Sequence, residues 1–168
     1  MRKIFKTQTG ITLIELLITG VIVGLVATMA VPRFQIAYER LQYKRANREM
    51  TSTLKVARSM AVTSKAQHGV TFNEDNRTVT LFEDVNTGTY AFEEGVDSVL
   101  RVDTLPEQFV YLDSDLEGHT IFFRPNGSAD FNGGGNIYSM AYSEDVIAYY
   151  HANILASTGR VHSDCYYY

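Results

Sequence analysis

Cysteine is almost missing from this chain: Cys165 stands alone among 168 residues, so no intrachain disulfide supports the fold. A reduced, functionally silent side chain is expected there, the alternative being a bond to another subunit. Proline is equally scarce, at three residues, and like charges do not run together in long blocks, which argues against a disordered tail. A basic surface is lacking too. The net charge is −4, yet Arg2, Lys3 and Lys6 open the chain with no acid among the first ten residues. Residues 11–168 therefore hold 12 basic against 19 acidic residues, a charge of −7, which excludes a generally basic nucleic-acid surface and leaves room only for a local patch.

Catalytic constellations are missing as well. His68, His119, His151 and His162 are scattered, without the i, i+4 spacing or HExxH context of a zinc site. His162, Asp164 and Cys165, with His151, can be drawn as metal ligands, but we read a frayed polar C-terminus. No GxSxG elbow supports a hydrolase. Gly133-Gly134-Gly135 has neither the lysine nor the following helix of a phosphate loop and reads as a turn. No catalytic residue, cofactor or metal is assigned, and the chain is not read as an enzyme.

What is present is an apolar run. Ile11 to Val31 holds 21 residues, and a helix of that length spans roughly 30 Å, the thickness of a hydrocarbon core. Basic residues precede it, which keeps the N-terminus cytoplasmic and sends the remainder outward. The run exceeds the apolar middle of a secretory signal, and the sequence after Ala27 and Ala30 continues as a helix rather than a cleavage site. A plain anchor accounts for everything but Glu15. A carboxylate in the apolar layer costs about 2.5 to 3.5 kcal/mol at mid-membrane, less near the edge, and normally has a partner.

Gly10 to Leu17, GITLIELL, resembles the processing signal of type IV pilins and of the pseudopilins of type II secretion. The resemblance implies cleavage after Gly10 by a prepilin peptidase that is also the N-methyltransferase, N-methylation of Ile11, and an assembly role for Glu15, fifth from the cut. Gly24 and Pro32 stand where a helix-loosening glycine and a proline commonly follow. Phenylalanine or methionine is commoner where this chain has Ile11. Charge supports the comparison independently, because a cut before Ile11 creates an amine one helical turn from Glu15, within a chain or in a neighbouring subunit.

Past Pro32, Ala46, Met50, Leu54, Ala57 and Ala61 recur at three- and four-residue steps, which predicts one apolar stripe. We expect one helix from about Ile11 to Ser64, bent near Pro32. The period then changes to two. GVTFNEDNRTVTLFED predicts a hairpin, and further strands are expected at Val99–Val102, Phe109–Leu112, Thr120–Arg124, Ile137–Tyr142, Val146–Leu155 and Arg160–Ser163. Between them lie turn residues: Pro125-Asn126-Gly127, Gly133-Gly134-Gly135, Ser143-Glu144-Asp145 and Thr158-Gly159. Tyr149 and Tyr150 read as packing residues, while the tail Tyr166-Tyr167-Tyr168 is equally a partner contact.

Ala57-Arg58, Phe123 to Gly127 and Thr158 to Val161 resemble landmarks of the GspH/FimT family of minor pilins and pseudopilins. The fold expected is therefore α+β, a long N-terminal helix packed on a C-terminal antiparallel β-sheet head. The expected organisation is a leader at 1–10, a transmembrane and assembly helix at 11–32, its continuation at 33–64, and a periplasmic head at 65–168. The resemblance implies a single-pass inner-membrane subunit of a type II secretion pseudopilus or type IV pilus. Its implied partners are other subunits, the peptidase, the inner-membrane assembly platform and, before assembly, membrane lipid. Two alternatives stand beside it. Some FimT-like pilins bind DNA through Gly-Arg-x-Arg, of which this chain keeps Gly159 and Arg160 and replaces the second arginine by His162, mostly neutral at pH 7. The other is a membrane-anchored enzyme or binding protein whose leader motif is coincidental.

Overall fold

In a computed structural model, residues 11–89, 91–107, 109–143 and 146–168 are described. They divide into two compact units, one ending at Tyr38 and the other comprising Glu39–Tyr168. Helix α1 runs from Leu13 to Ser64, continuously through Pro32. Its start has a local cause: the Thr12 hydroxyl accepts a hydrogen bond from the Glu15 amide at 3.3 Å, as an N-cap side chain does for the third helical residue. Within the apolar stretch, the Thr19 and Thr28 hydroxyls donate to the Leu16 and Leu25 carbonyls at 2.9 and 2.8 Å, so neither is left unsatisfied where water is scarce.

The second unit is built of two antiparallel sheets against the later part of α1. The strands are β1 (His68–Asn73), β2 (Thr78–Glu83), β3 (Ser98–Thr104), β4 (Phe109–Leu116), β5 (Thr120–Phe123), β6 (Ala129–Asp130), β7 (Gly133–Tyr142), β8 (Ile147–Leu155) and β9 (Arg160–Tyr167). Sheet order is β3-β2-β1-β5-β6 in one and β4-β7-β8-β9 in the other. The architecture is α+β, as the residue pattern predicts, and the hairpin of β1 and β2 falls on the predicted segment.

The stripe Ala46, Met50, Leu54, Ala57 and Ala61 is buried. Fully burying a leucine such as Leu54 contributes roughly 1.5 to 3 kcal/mol. Strands β7 and β8 turn alternate residues inward, among them Ile137, Ser139 and Ala141, and Ala148, Tyr150, Ala152 and Ile154, the period expected of a sheet buried on one face. In the first sheet β1 and β5 are buried on both faces, while the edge strand β3 is exposed. On its outer side Phe82 lies against Phe92 and edge-on to Phe122, with ring centroids 4.9 and 5.7 Å apart. Phe82 also lies over its cross-strand partner Gly69, where a Cβ would meet the ring at 2.2 Å. That contact requires glycine.

Two expectations need correction. Gly133-Gly134-Gly135 is not a turn but the start of β7. The glycines are there because other groups occupy the space of their side chains. A Cβ on Gly134 would sit 2.3 Å from the Asp115 carboxylate, and one on Gly135, at φ +71°, would sit 2.9 Å from the Ile154 carbonyl. Asp115 holds the strand by accepting from the Asn136 amide and side-chain Nδ2, each at 2.6 Å. The C-terminus is likewise not frayed, since β9 continues through Tyr167 and is paired with β8 along its length.

Candidate functional site: an exposed apolar helix and a clamped C-terminal strand

Consider first the unit ending at Tyr38. Among its described residues nothing covers the apolar side chains: Ile11 is 76% and Leu13 83% exposed, and Leu16, Val23, Leu25 and Met29 are likewise open. The helix is long and apolar enough to cross a membrane, and none of its most apolar window is buried. Gly20 and Gly24 are four residues apart on one side of it, with nothing within 4 Å of where a Cβ would be. Among the described residues, no contact explains why these positions lack side chains.

Glu15 lies in the first turn of α1. Among the described residues, its carboxylate has no hydrogen-bond or ion-pair partner. Thr12 and Glu15 have the Thr-x-x-Glu spacing of a capping box, a spacing visible in the sequence, but the bond formed is the one from the Glu15 amide to the Thr12 hydroxyl. A first-turn carboxylate also opposes the positive end of the helix dipole, worth about 0.3 to 1 kcal/mol. Gly10, the expected cleavage residue, lies outside the described residues, as do Arg2, Lys3 and Lys6.

In the second unit, three segments far apart in sequence meet at Arg58. Its Nε donates to the Gly127 carbonyl at 2.9 Å and to the Thr158 carbonyl at 3.0 Å. Gly127 lies between β5 and β6, and Thr158 between β8 and β9, so one guanidinium ties the helix to a turn of each sheet. Gly159 completes the join. It has φ +61°, and a Cβ there would meet the Gly127 carbonyl at 2.3 Å. The Ala129 amide donates to the Ala156 carbonyl at 2.8 Å, linking the same two turns through backbone.

No family model matches this chain, and no curated protein matches it. Among solved structures it is similar to the minor pseudopilin EpsH from the Type 2 Secretion System of Vibrio cholerae. The identity is 16% and the TM-score 0.47, over 72% of this chain and 94% of that one.

Strand β9 places the other expected residues. Arg160, His162 and Asp164 alternate along it and so share a face. The His162 ring lies 3.4 Å from the Asp164 carboxylate. Asp164 is paired in register with His151, but His151 turns to Asn136 Oδ1 at 3.0 Å, and Cys165 points to the opposite face, where the Asn47 side chain donates to its sulfur at 3.5 Å. Among the described residues, no group of histidine, cysteine or carboxylate side chains is placed to hold a metal.

On that inner face Thr51 and the Tyr150 hydroxyl share a hydrogen bond of 2.6 Å. Burial raises the Tyr150 pKa above its ordinary value. Tyr167 is pushed up to about 12 by burial and by the neighbouring Cys165, with Arg48 and Arg40 opposing. An acid whose pKa rises on folding ionises first in the unfolded chain, so its contribution is full below the unfolded value and fades as pH climbs towards the folded one. The stability of the head is accordingly expected to fall between about pH 10 and 12. Ultraviolet titration of tyrosinate will show it: of eleven tyrosines, Tyr150 and Tyr167 will ionise late, together with loss of near-ultraviolet circular dichroism.

Proposed function

We propose that this chain is a minor pilin or pseudopilin, a structural subunit without catalytic activity. The leader is cut after Gly10 by a prepilin peptidase, Ile11 is N-methylated, and the helix from Ile11 leaves the inner membrane for the core of a filament. The observation that carries the proposal is the apolar start of α1, uncovered among the described residues and holding a single carboxylate, Glu15, that has no partner among them, five residues after a glycine that follows a basic leader. Transfer from lipid to a bundle of similar helices exchanges one apolar surrounding for another, so the net driving force is small and specific contacts decide the outcome. Glu15 supplies such a contact to the amine of Ile11, and Gly20 and Gly24 leave room for a neighbouring helix to approach. In this reading residues 1–10 are the leader, 11–32 cross the membrane, 33–64 continue the helix, and 65–168 form a periplasmic head. Other subunits and the inner-membrane platform are its partners.

Intact-mass spectrometry of the membrane form tests this directly. The expected mass is that of residues 11–168 plus one methyl group; an uncut N-terminus removes the proposal.

Arg160 and His162 give little support to DNA binding. Both are exposed, but Asp164 follows them on the same face and pairs with His162, so phosphate would meet an acid beside the two bases.

A further inference from the structure

Strand β9 is an edge of its sheet, and it lies alongside α1 in the opposite direction. Gly159 lies at Arg58, Ser163 at Thr51 and Cys165 at Asn47. Between strand and helix runs a groove of about 420 Å³, lined by Lys44, Arg48, Lys55, Ser163 and Asp164 among others. It adjoins a second hollow of about 590 Å³ at Lys55 and Arg160.

Two properties of the groove specify an occupant. The first is backbone. Ile147 and Tyr168 exchange both amide bonds, at 3.3 and 2.9 Å. An antiparallel ladder alternates bonded and non-bonded pairs, and the β8–β9 register is unbroken. The N–H and C=O groups of Val161, Ser163, Cys165 and Tyr167 therefore point away from β8, along the free edge. Strand β9 has no proline, no lysine and no bulge to block that edge; its two charged residues are Arg160 and Asp164. The second is charge. Lys44, Arg48 and Lys55 are exposed on the flank of α1, and among the described residues none has an ion-pair or hydrogen-bond partner. In a chain of net charge −4, three unpaired cations against one carboxylate, Asp164, make a local positive stripe.

We propose that this groove takes an extended acidic polypeptide segment of a partner protein, which adds as a strand to β9 while its carboxylates meet Lys44, Arg48 and Lys55. Alternate residues on a strand lie about 6.8 Å apart, close to the roughly 6 Å that four helical residues separate Lys44 from Arg48. A nucleic acid fits less well, because phosphate oxygens only accept, whereas the β9 edge presents donors and acceptors in alternation. The inference does not depend on leader processing.

The test uses the full chain in lipid nanodiscs and, as probe, an end-capped peptide alternating glutamate with threonine and valine. Isothermal titration is expected to show binding, and hydrogen exchange is expected to slow at Val161, Ser163 and Cys165 while the outer helix is unaffected. A peptide of the same sequence with alternate amides N-methylated keeps every charge but cannot form a ladder, and it should fail to bind. Arg48→Glu with Lys55→Glu, both on exposed helix positions, should weaken binding at least about tenfold. Val161→Pro removes a donor that the β8 ladder does not use and should block the edge. Equal binding of the N-methylated peptide, unchanged affinity of the charge variant, or binding of double-stranded DNA with none of the peptide overturns the proposal.

Discussion

Arg58→Ala will lower the thermal midpoint of the head more than any other exposed substitution on α1. The side chain donates to two carbonyls, of Gly127 and Thr158, at 2.9 and 3.0 Å. A hydrogen bond from a charged donor contributes about 1.5 to 3 kcal/mol; because Arg58 is partly open to water, the lower end applies. Both turns lose their shared donor at once, so the expected cost is about 2 kcal/mol, or roughly 6 to 10 °C for a domain of this size. Near-ultraviolet circular dichroism of the full chain in detergent will measure it. Arg58→Lys should recover only part, since an ammonium does not reproduce the planar donor geometry. Gly159→Ala should cost at least as much through a different cause, a Cβ 2.3 Å from the Gly127 carbonyl at φ +61°. If Arg58→Ala melts with the wild type, the two turns are held by their backbone bond from Ala129 to Ala156, and the clamp is incidental.

The clamp shows what was legible in the sequence and what was not. Ala57-Arg58, Phe123 to Gly127 and Thr158 to Val161 were each visible as separate landmarks. Their convergence was not, because a residue pattern gives local period while contact between residues 58, 127 and 158 depends on how two sheets close over a helix. The apolar stripe from Ala46 to Ala61 and the β1–β2 hairpin were legible for the opposite reason, each being set by short-range periodicity. The glycines at 133–135 misled because glycine is a turn residue only when φ or chain reversal requires it. Here Asp115 and the Ile154 carbonyl fill the missing side-chain space in a strand. The length of β9 was missed because His162, Asp164 and Cys165 look polar, and polarity at a sheet edge resembles a loop. The tyrosine tail proved to be strand through Tyr167. At the other end, Glu15 was conspicuous for its charge, while its pairing with Thr12 as a helix start went unread.

That local pairing decides how Glu15 must be tested. Glu15→Ala is expected to leave cleavage after Gly10 intact and to abolish incorporation into the filament, measured by pull-down with the other subunits. Alanine, however, removes the charge, its first-turn dipole contact and the side chain's hydrogen-bonding group together, so by itself it does not separate assembly from helix initiation. Magnitudes favour assembly. The dipole contact is worth about 0.3 to 1 kcal/mol, whereas the carboxylate costs up to about 2.5 to 3.5 kcal/mol in the apolar layer, so helix initiation alone does not offset its presence. Glu15→Gln keeps a side chain of the same length that can still hydrogen-bond and removes only the charge. The glutamine variant should therefore fail to co-assemble as completely as the alanine variant, with helicity and membrane level unchanged. Glu15→Asp, which retains charge but shortens the reach to a neighbouring amine, should assemble partially. Normal incorporation of Glu15→Gln would withdraw the ionic contact from the proposed mechanism, leaving packing at Gly20 and Gly24 to select the subunit.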